Sequence, residues 1–384
     1  MQFEFSTASR IIFGPGKLDI IGGLVAEISK NVMIISGCPQ ATADRLIRLL
    51  EAYEITSSYI KIKSEPTTDL ILELVEFCRQ SRSEVVIGIG GGSAIDSAKA
   101  TAALVTNAGD ISDYLEVIGR NQPLINPPLA LIAIPTTAGT GSEVTRNAVL
   151  GSPLHHIKVS LRGPHLLPLI ALVDPELTIT VPPLITAYTG LDTLTQLIEP
   201  FTCNSPNPLT DAICQEGIKR VGGSLYRAHE NGSNLNARED MALASLFSGL
   251  ALANSKLGAV HGLAGPLGGE ISAPHGAICA RLLPPVMEAN RSALLRLAAD
   301  HPALEKYRII AVLLTGNKNA GIEEGIQWVR DFCQHVGIPH LSTYGLIENM
   351  FDAVLAKATY SSSMKGNPVI LSEGELRNIL QQSL

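Results

Sequence analysis

The chain has 384 residues, 46% apolar and 17% charged, a foldable composition far from the polar, highly charged corner where chains stay disordered. Its length suggests two or three domains. A net charge of −7, with no Lys/Arg cluster, argues against a nucleic-acid partner and fits an enzyme of small molecules.

Taken in chain order, the first half alternates short apolar runs with helical patterns. Val32 to Gly37 reads as a buried strand ending in a turn, and 41–53 as an amphipathic helix. Residues 58–63 and 67–79 read as a second strand and helix. Val85–Ile89 is a strand running into glycines, 93–108 a helix and Ala130–Ile134 another strand. Such alternation predicts βαβ units and a parallel sheet, and continuously apolar strands predict one covered on both faces. After Leu172-Val173-Asp174 and the prolines Pro175, Pro182 and Pro183, strand signals fade. Helices are expected over 185–199, 208–219, 237–256, 277–290 and 322–335. The domain boundary is placed near 178, giving an α/β domain over 1–178 and an all-helical domain over 179–384. Ser361 to Pro368 reads as a loop.

The cysteines (Cys38, Cys78, Cys203, Cys214, Cys279 and Cys333) are scattered without a C-x-x-C pair. Neither a disulfide framework nor a thiolate zinc site is expected from them, only buried thiols of a reducing compartment. Met1-Gln2-Phe3-Glu4-Phe5 lacks the basic and apolar regions of a signal peptide, and no uncharged apolar run reaches about 18 residues. A cytoplasmic protein with no membrane span is the expectation.

The strand Val85–Ile89 leads into Gly90-Gly91-Gly92-Ser93 and then a helix. Glycines let a backbone approach an anion closely, and the free amides and dipole of a helix N-terminus stabilise its charge. The pattern departs from G-x-G-x-x-G because Ser93 holds the last position. A ligand-free strand–helix turn is the alternative. A second loop, Pro135-Thr136-Thr137-Ala138-Gly139-Thr140-Gly141-Ser142-Glu143, also follows a buried strand and offers hydroxyls and glycines. Two such loops at the carboxyl ends of one sheet suit a dinucleotide.

These two segments, with Asp96 and Lys99, resemble the iron-containing (group III) alcohol dehydrogenases. So do Val173-Asp174-Pro175-Glu176-Leu177, the run Gly190-Leu191-Asp192-Thr193-Leu194-Thr195-Gln196-Leu197-Ile198-Glu199, Val260-His261-Gly262 through Gly269, and Pro274-His275-Gly276. The matches occur in order over roughly residues 10 to 290. The resemblance implies a Rossmann-like α/β domain with a parallel sheet, an all-helical domain, and an active site in the cleft between them. It implies NAD or NADP as cofactor, with Gly91, Gly92 and Ser93 on the pyrophosphate and Asp96 and Leu177 among the cofactor residues. Thr136, Thr137 and Thr140 would line the nucleotide site, and Lys158 would lie near the nicotinamide ribose. A homodimer is expected on family habit alone.

The family holds one divalent cation with an Asp, a His one helical turn later and two further His. The corresponding positions are Asp192, Gln196, His261 and His275. Such a cation polarises the substrate oxygen while hydride moves, so Asp192, His261 and His275 carry the catalytic assignment. Carboxylate and imidazoles suit iron(II), zinc or manganese. Gln196 departs from the family; its amide oxygen is a weaker donor that hard cations still accept. Gly265 is a second departure, where many members carry another His. His155, His156, His165, His335 and His340 read as ordinary hydrogen-bonded residues.

The turn Ser36-Gly37-Cys38-Pro39 carries no acid to repel a 2′-phosphate, and Ser36 or the Gly37 amide is available to bond one, so NADP is tolerated alongside NAD. The reading is a reversible oxidoreductase of a small alcohol and its aldehyde or ketone, aided by iron(II) or zinc. The rivals are a maleylacetate reductase-like enzyme, a metal-free nucleotide-binding protein that has lost catalysis, and a dehydroquinate synthase-like lyase.

Overall fold

Residues 2–155 and 157–384 are described by a computed structural model. They form two compact units, Ser6–Val181 and Pro182–Leu384, the latter joined by the first few residues of the chain. The division lies at Val181/Pro182 rather than at 178, for a local reason. Asp174 caps a 3-10 turn over Pro175–Thr178, and the Val181 amide still bonds the Thr178 carbonyl. Only then do Pro182 and Pro183, which lack amide hydrogens and are pre-set for a first helical turn, open the next helix.

The α/β unit runs β1 (Arg10–Phe13), α1 (Ile21–Ala26), β2 (Asn31–Ser36), α2 (Gln40–Glu51), β3 (Thr56–Lys61), α3 (Thr68–Gln80), β4 (Val85–Gly90), α4 (Gly92–Thr106) and β5 (Ala130–Pro135). A hairpin of β6 (Asn147–Ser152) and β7 (Ile157–Arg162) follows, then β8 (Ile170–Val173). Six strands form a parallel sheet in the order β1-β8-β5-β4-β2-β3. Met33, Ile35 and Val86 pack on one face; Val32, Ile34, Val85, Ile87 and Ile89 pack on the other. Burial on both faces is why these strands read as unbroken apolar runs. The chain leaves β2 for one side of the sheet and β4 for the other, so the loops after β2 and β4 diverge at a switch point. The antiparallel hairpin β6–β7 is absent from the elements expected above, although Ile157-Lys158-Val159-Ser160-Leu161-Arg162 alternates apolar and polar residues as a half-buried strand does.

The second unit is helical: α5 (Pro183–Thr202), α6 (Pro208–Glu230), α7 (Leu235–Asn254), α8 (Ala259–Glu270), α9 (His275–Leu297), α10 (Pro302–Thr315), α11 (Ile322–His335), α12 (Phe351–Tyr360) and α13 (Glu373–Ser383). From Thr186 to Thr202 every residue of α5 but Thr189 is buried, so its polar side chains must find partners inside. Helices α6 and α9 outrun their expected ends, α9 continuing through Pro284 and Pro285. Helix α8 escapes sequence reading because four glycines and Pro266 give it poor intrinsic propensity. The segment 361–368 contains a short 3-10 turn, and its Asn367 accepts from the Ala259 amide that opens α8. Among the described residues no single helix is long and apolar enough to cross a membrane.

Candidate active site

In the helical unit, α5 brings Asp192 and Glu199 inward, α8 brings His261, and α9 brings His275 and Cys279. Glycines beside the histidines permit the close approach. A Cβ on Gly276 would stand 2.6 Å from the Tyr188 carbonyl oxygen, so the start of α9 lies directly on the backbone of α5. A Cβ on Gly262 would stand 3.1 Å from the Cα of Met364.

Asp192 Oδ1 lies 3.5 Å from His261 Nε2 and 3.8 Å from His275 Nε2. Cys279 Sγ lies 3.5 Å from His275 Nε2 and 4.0 Å from His261 Nε2. These four donor atoms all fall within 4.8 Å of one another. Asp192 Oδ1 is buried and has no hydrogen-bond partner. A buried carboxylate oxygen without a partner costs several kcal/mol unless a cation meets it, so the residues present fit a divalent metal. His261 is oriented from behind: its Nδ1 contacts Glu199 Oε2 at 2.6 Å, while Glu199 Oε1 accepts the Val260 amide at 2.7 Å. This is the carboxylate–imidazole–metal pattern, which fixes the tautomer and aims the other nitrogen at the ion.

The electrostatics agree. Burial alone would raise Asp192, yet the flanking imidazoles hold its carboxyl below the usual range. For His275, the charge on Cys279 leads and Asp192 adds, lifting the imidazole to about 9. For His261, burial works downward but is outweighed by Cys279, Glu199 and Asp192, which carry it well above its ordinary value. The carboxylates and sulfur that raise both rings would also attract a cation. The site is open on one side: the His275 side chain is 40% exposed, and a Cβ on Gly265 meets nothing within 4 Å.

Gln196 is buried beside this cluster and does not join it. Its Nε2 donates to Asp192 Oδ2 at 2.9 Å, and its Oε1 faces Ser248 Oγ at 3.2 Å, a hydroxyl whose one proton is shared with the Ser245 carbonyl at 2.8 Å. The one atom of the amide able to ligate is turned toward α7. The sequence expectation assigns this position to the metal, gives Glu199 no role and expects no thiolate site from the scattered cysteines. A signal existed: His275 and Cys279 are four apart on one helix, the same one-turn spacing as Asp192 and Gln196.

In the α/β unit the glycine loop lies where the sheet switches direction. The first intrahelical bonds of α4 run from Ala94 and Ile95 to Gly91 O, so the amides before them are not used by the helix. A Cβ on Gly92 would stand 2.9 Å from Thr140 Cγ2, and one on Gly91 3.4 Å from Thr137 Oγ1. Gly91, Gly92, Thr137 and Thr140 are therefore gathered in one place, with Ser93 next along α4. The Thr136 amide ties the same loop to Gly90 O at 2.9 Å.

Five other expected cofactor residues are engaged elsewhere. The Ser36 hydroxyl is buried against Cys38, and the Gly37 amide donates to Ile89 O at 2.9 Å, so neither is free to bond a 2′-phosphate. Both belong to the closure of β2 onto β4, which the isolated tetrapeptide cannot reveal. Asp96 accepts from Ser142 Oγ and from the Val149 amide at 3.0 Å, bracing α4 against the hairpin. Lys158 Nζ pairs with Glu65 at 2.7 Å, and Leu177 packs in the core. Away from the site, His155, His335 and His340 contact Ser152, Glu230 and Arg281; His156 lies outside the described residues.

Comparison with known proteins places this geometry. Residues 8–175 match the iron-containing alcohol dehydrogenase family, and residues 186–384 match the C-terminal domain of the Fe-containing alcohol dehydrogenase family. The chain belongs to the iron-containing alcohol dehydrogenases, oxidoreductases that bind NAD(P) and a metal. It is 35% identical over 343 residues to alcohol dehydrogenase 4 of Schizosaccharomyces pombe, covering 89% of this chain and 78% of that one. It superposes on a solved 1,3-propanediol oxidoreductase with TM-score 0.91 at 29% identity, both chains covered fully at 100%. The sulfoacetaldehyde reductase of Bifidobacterium kashiwanohense, solved in complex with NAD+, matches with TM-score 0.87 at 28% identity, covering 100% of this chain and 99% of that one. The chain is an alcohol dehydrogenase by this evidence.

Proposed function

We propose that this alcohol dehydrogenase interconverts a small alcohol and its aldehyde or ketone, with one divalent cation held by Asp192, His261 and His275. The carrying observation is the buried, unpartnered Asp192 Oδ1 facing two imidazole nitrogens at 3.5 and 3.8 Å. A bound cation supplies Lewis acidity to the substrate oxygen, lowering the cost of alkoxide character as hydride moves. The nicotinamide cofactor supplies or accepts that hydride. Glu199 holds the His261 ring in one tautomer, and Gln196, anchored by Ser248, holds the second oxygen of Asp192 so that the first stays directed inward. Gly91, Gly92 and Ser93 at the start of α4, with Thr137 and Thr140 over them, cradle the pyrophosphate. The open space over Gly265 admits substrate.

The cofactor choice leans to NADP(H), with NAD(H) accepted. The end of β2 carries no carboxylate, and the sheet register sets Lys61 of β3 opposite Ser36. A lysine there, rather than the Ser36 hydroxyl or the Gly37 amide, supplies charge for a 2′-phosphate.

The test is metal analysis of protein purified without oxygen, together with NADPH and NADH oxidation over a panel of aldehydes and ketones. About one metal per chain, lost in His261→Ala and His275→Ala, and turnover with at least one carbonyl are the expected results. Metal-free protein, or none oxidising either cofactor, would overturn the reading. Lys61→Glu should shift preference toward NADH.

A further inference from the structure

We infer that Cys279, and not Gln196, completes the protein ligands of the cation, giving an Asp192–His261–His275–Cys279 set that favours zinc over iron(II). The inference rests on the reading of this cluster as a cation site.

Zinc-type bonds of about 2.0–2.3 Å in tetrahedral array set neighbouring donor atoms about 3.3–3.8 Å apart. The separations are 3.5 Å for Asp192 Oδ1 to His261 Nε2, 3.8 Å for Asp192 Oδ1 to His275 Nε2, 3.5 Å for Cys279 Sγ to His275 Nε2 and 4.0 Å for Cys279 Sγ to His261 Nε2. Four edges of the tetrahedron are thus near the required length, and no donor has more than 4.8 Å to its farthest partner.

The Gln196 oxygen is turned to Ser248 Oγ, while its nitrogen occupies Asp192 Oδ2. That leaves Asp192 Oδ1 alone without a hydrogen bond. The Cys279 sulfur is fully buried, and its contacts are the two imidazole nitrogens that share this space. Gln196 is a positioning residue for Asp192. Cys279 comes from one turn beyond His275, so both donors project from the same face of α9.

An Asp–His–His set alone suits iron(II) as well as zinc, but a thiolate is a soft donor that zinc and cobalt(II) accept readily. On binding, the thiol proton leaves to solvent as the sulfur–metal bond forms; no oxidation accompanies it.

The experiment loads the full-length apoprotein with cobalt(II) without oxygen and records its absorption spectrum. Expected are visible d–d bands at one cobalt per chain and a near-ultraviolet thiolate-to-cobalt charge-transfer band. Cys279→Ser should lose the charge-transfer band and keep d–d bands, whereas Gln196→Leu, which frees Asp192 Oδ2, should keep the charge-transfer band at a weaker cobalt affinity. In competition between zinc and iron(II), Cys279→Ser should lose at least about tenfold of the zinc preference, the scale on which partners of a metal site act. Unchanged melting by circular dichroism shows that each variant is folded, with Cys279→Ala replacing any that is not. Cobalt d–d bands without a charge-transfer band in the natural protein would overturn the assignment of Cys279 and leave the cation site standing. Failure to bind cobalt or zinc at all would overturn both.

Discussion

Glu199 Oε2 lies 2.6 Å from His261 Nδ1, and this buried contact turns the opposite ring nitrogen toward Asp192 Oδ1, 3.5 Å away. The carboxylate spans two helices, because its other oxygen accepts the Val260 amide at the start of α8. One side chain therefore satisfies an otherwise unpaired helix-terminal donor and orients a donor to the cation.

Removing that carboxylate should loosen the metal before it alters anything else. Glu199→Ala is expected to weaken zinc affinity by about 10–100-fold, with Glu199→Gln intermediate because it keeps an acceptor. Competition with a chromophoric chelator measures this directly. An affinity equal to that of the natural protein in the Ala variant would show that Glu199 serves only α8.

The contact of Gly276 with Tyr188 sets the distance between α9 and α5. Gly276→Ala places a methyl group 2.6 Å from a backbone oxygen, which no side-chain rotation relieves. A loss of about 1–3 kcal/mol is expected in denaturant unfolding, together with weaker metal binding as His275 and Cys279 move off Asp192. Full stability would mean that α9 can slide without cost.

Position 265 is the reverse case, since added atoms meet open space there. Gly265→His should be neutral or stabilise by a few tenths of a kcal/mol, because glycine is a poor helix former. The pH profile of kcat/KM should gain an ionisation near about 6.5, the ordinary range of histidine. A profile identical to the natural enzyme would place this position outside the path of substrate and protons.

Away from the metal, Glu143 offers a test of linkage. Burial is the leading cause that lifts its carboxyl from 4.5 to about 7, with the backbone and Lys99 acting downward. Lys99 is itself lowered to about 8, chiefly by burial, although it donates to Ser142, Thr145 and the Asn147 carbonyl. Between pH 4.5 and about 7 the folded chain holds a Glu143 proton that the unfolded chain has released. Stability from this group is therefore complete below 4.5 and is lost as pH rises through that window. Glu143→Gln should gain on the natural protein across it, by at most about 1.4 kcal/mol per pH unit, and level off above. Asp96, also raised by burial, is common to both proteins and cancels in the difference. Urea unfolding at stepped pH supplies the measurement; a constant difference would show that Glu143 ionises normally in the fold.

Much of this molecule was legible in its residues, because periodicity and loop chemistry are local. Strands β2, β4 and β5 read correctly since burial on both faces demands unbroken apolar runs. The glycine loop after β4 and the threonine loop after β5 declared themselves by residue type and by following buried strands. Asp192, His261 and His275 were recognisable from ordered motifs, and the fold brings them together.

What the tertiary structure alone decided is which atoms are left over when every polar group has chosen a partner. Gln196 is spaced as a ligand but donates to Asp192 Oδ2 and turns its oxygen to Ser248, a residue 52 positions away that no local pattern connects to it. The Ser36 hydroxyl and Gly37 amide are consumed by the closure of β2, and Lys61 stands opposite Ser36 only through the strand register. Helix α8 exists despite its glycines and proline because Gly262 packs against Met364 and its first amides reach Glu199 and Asn367. Cys279, indistinguishable in sequence from the other buried thiols, comes within 4.8 Å of the donor atoms of Asp192, His261 and His275 where α9 is pressed onto α5 at Gly276. Sequence determines which side chains face inward. The packing distance between helices determines which of them share one cation.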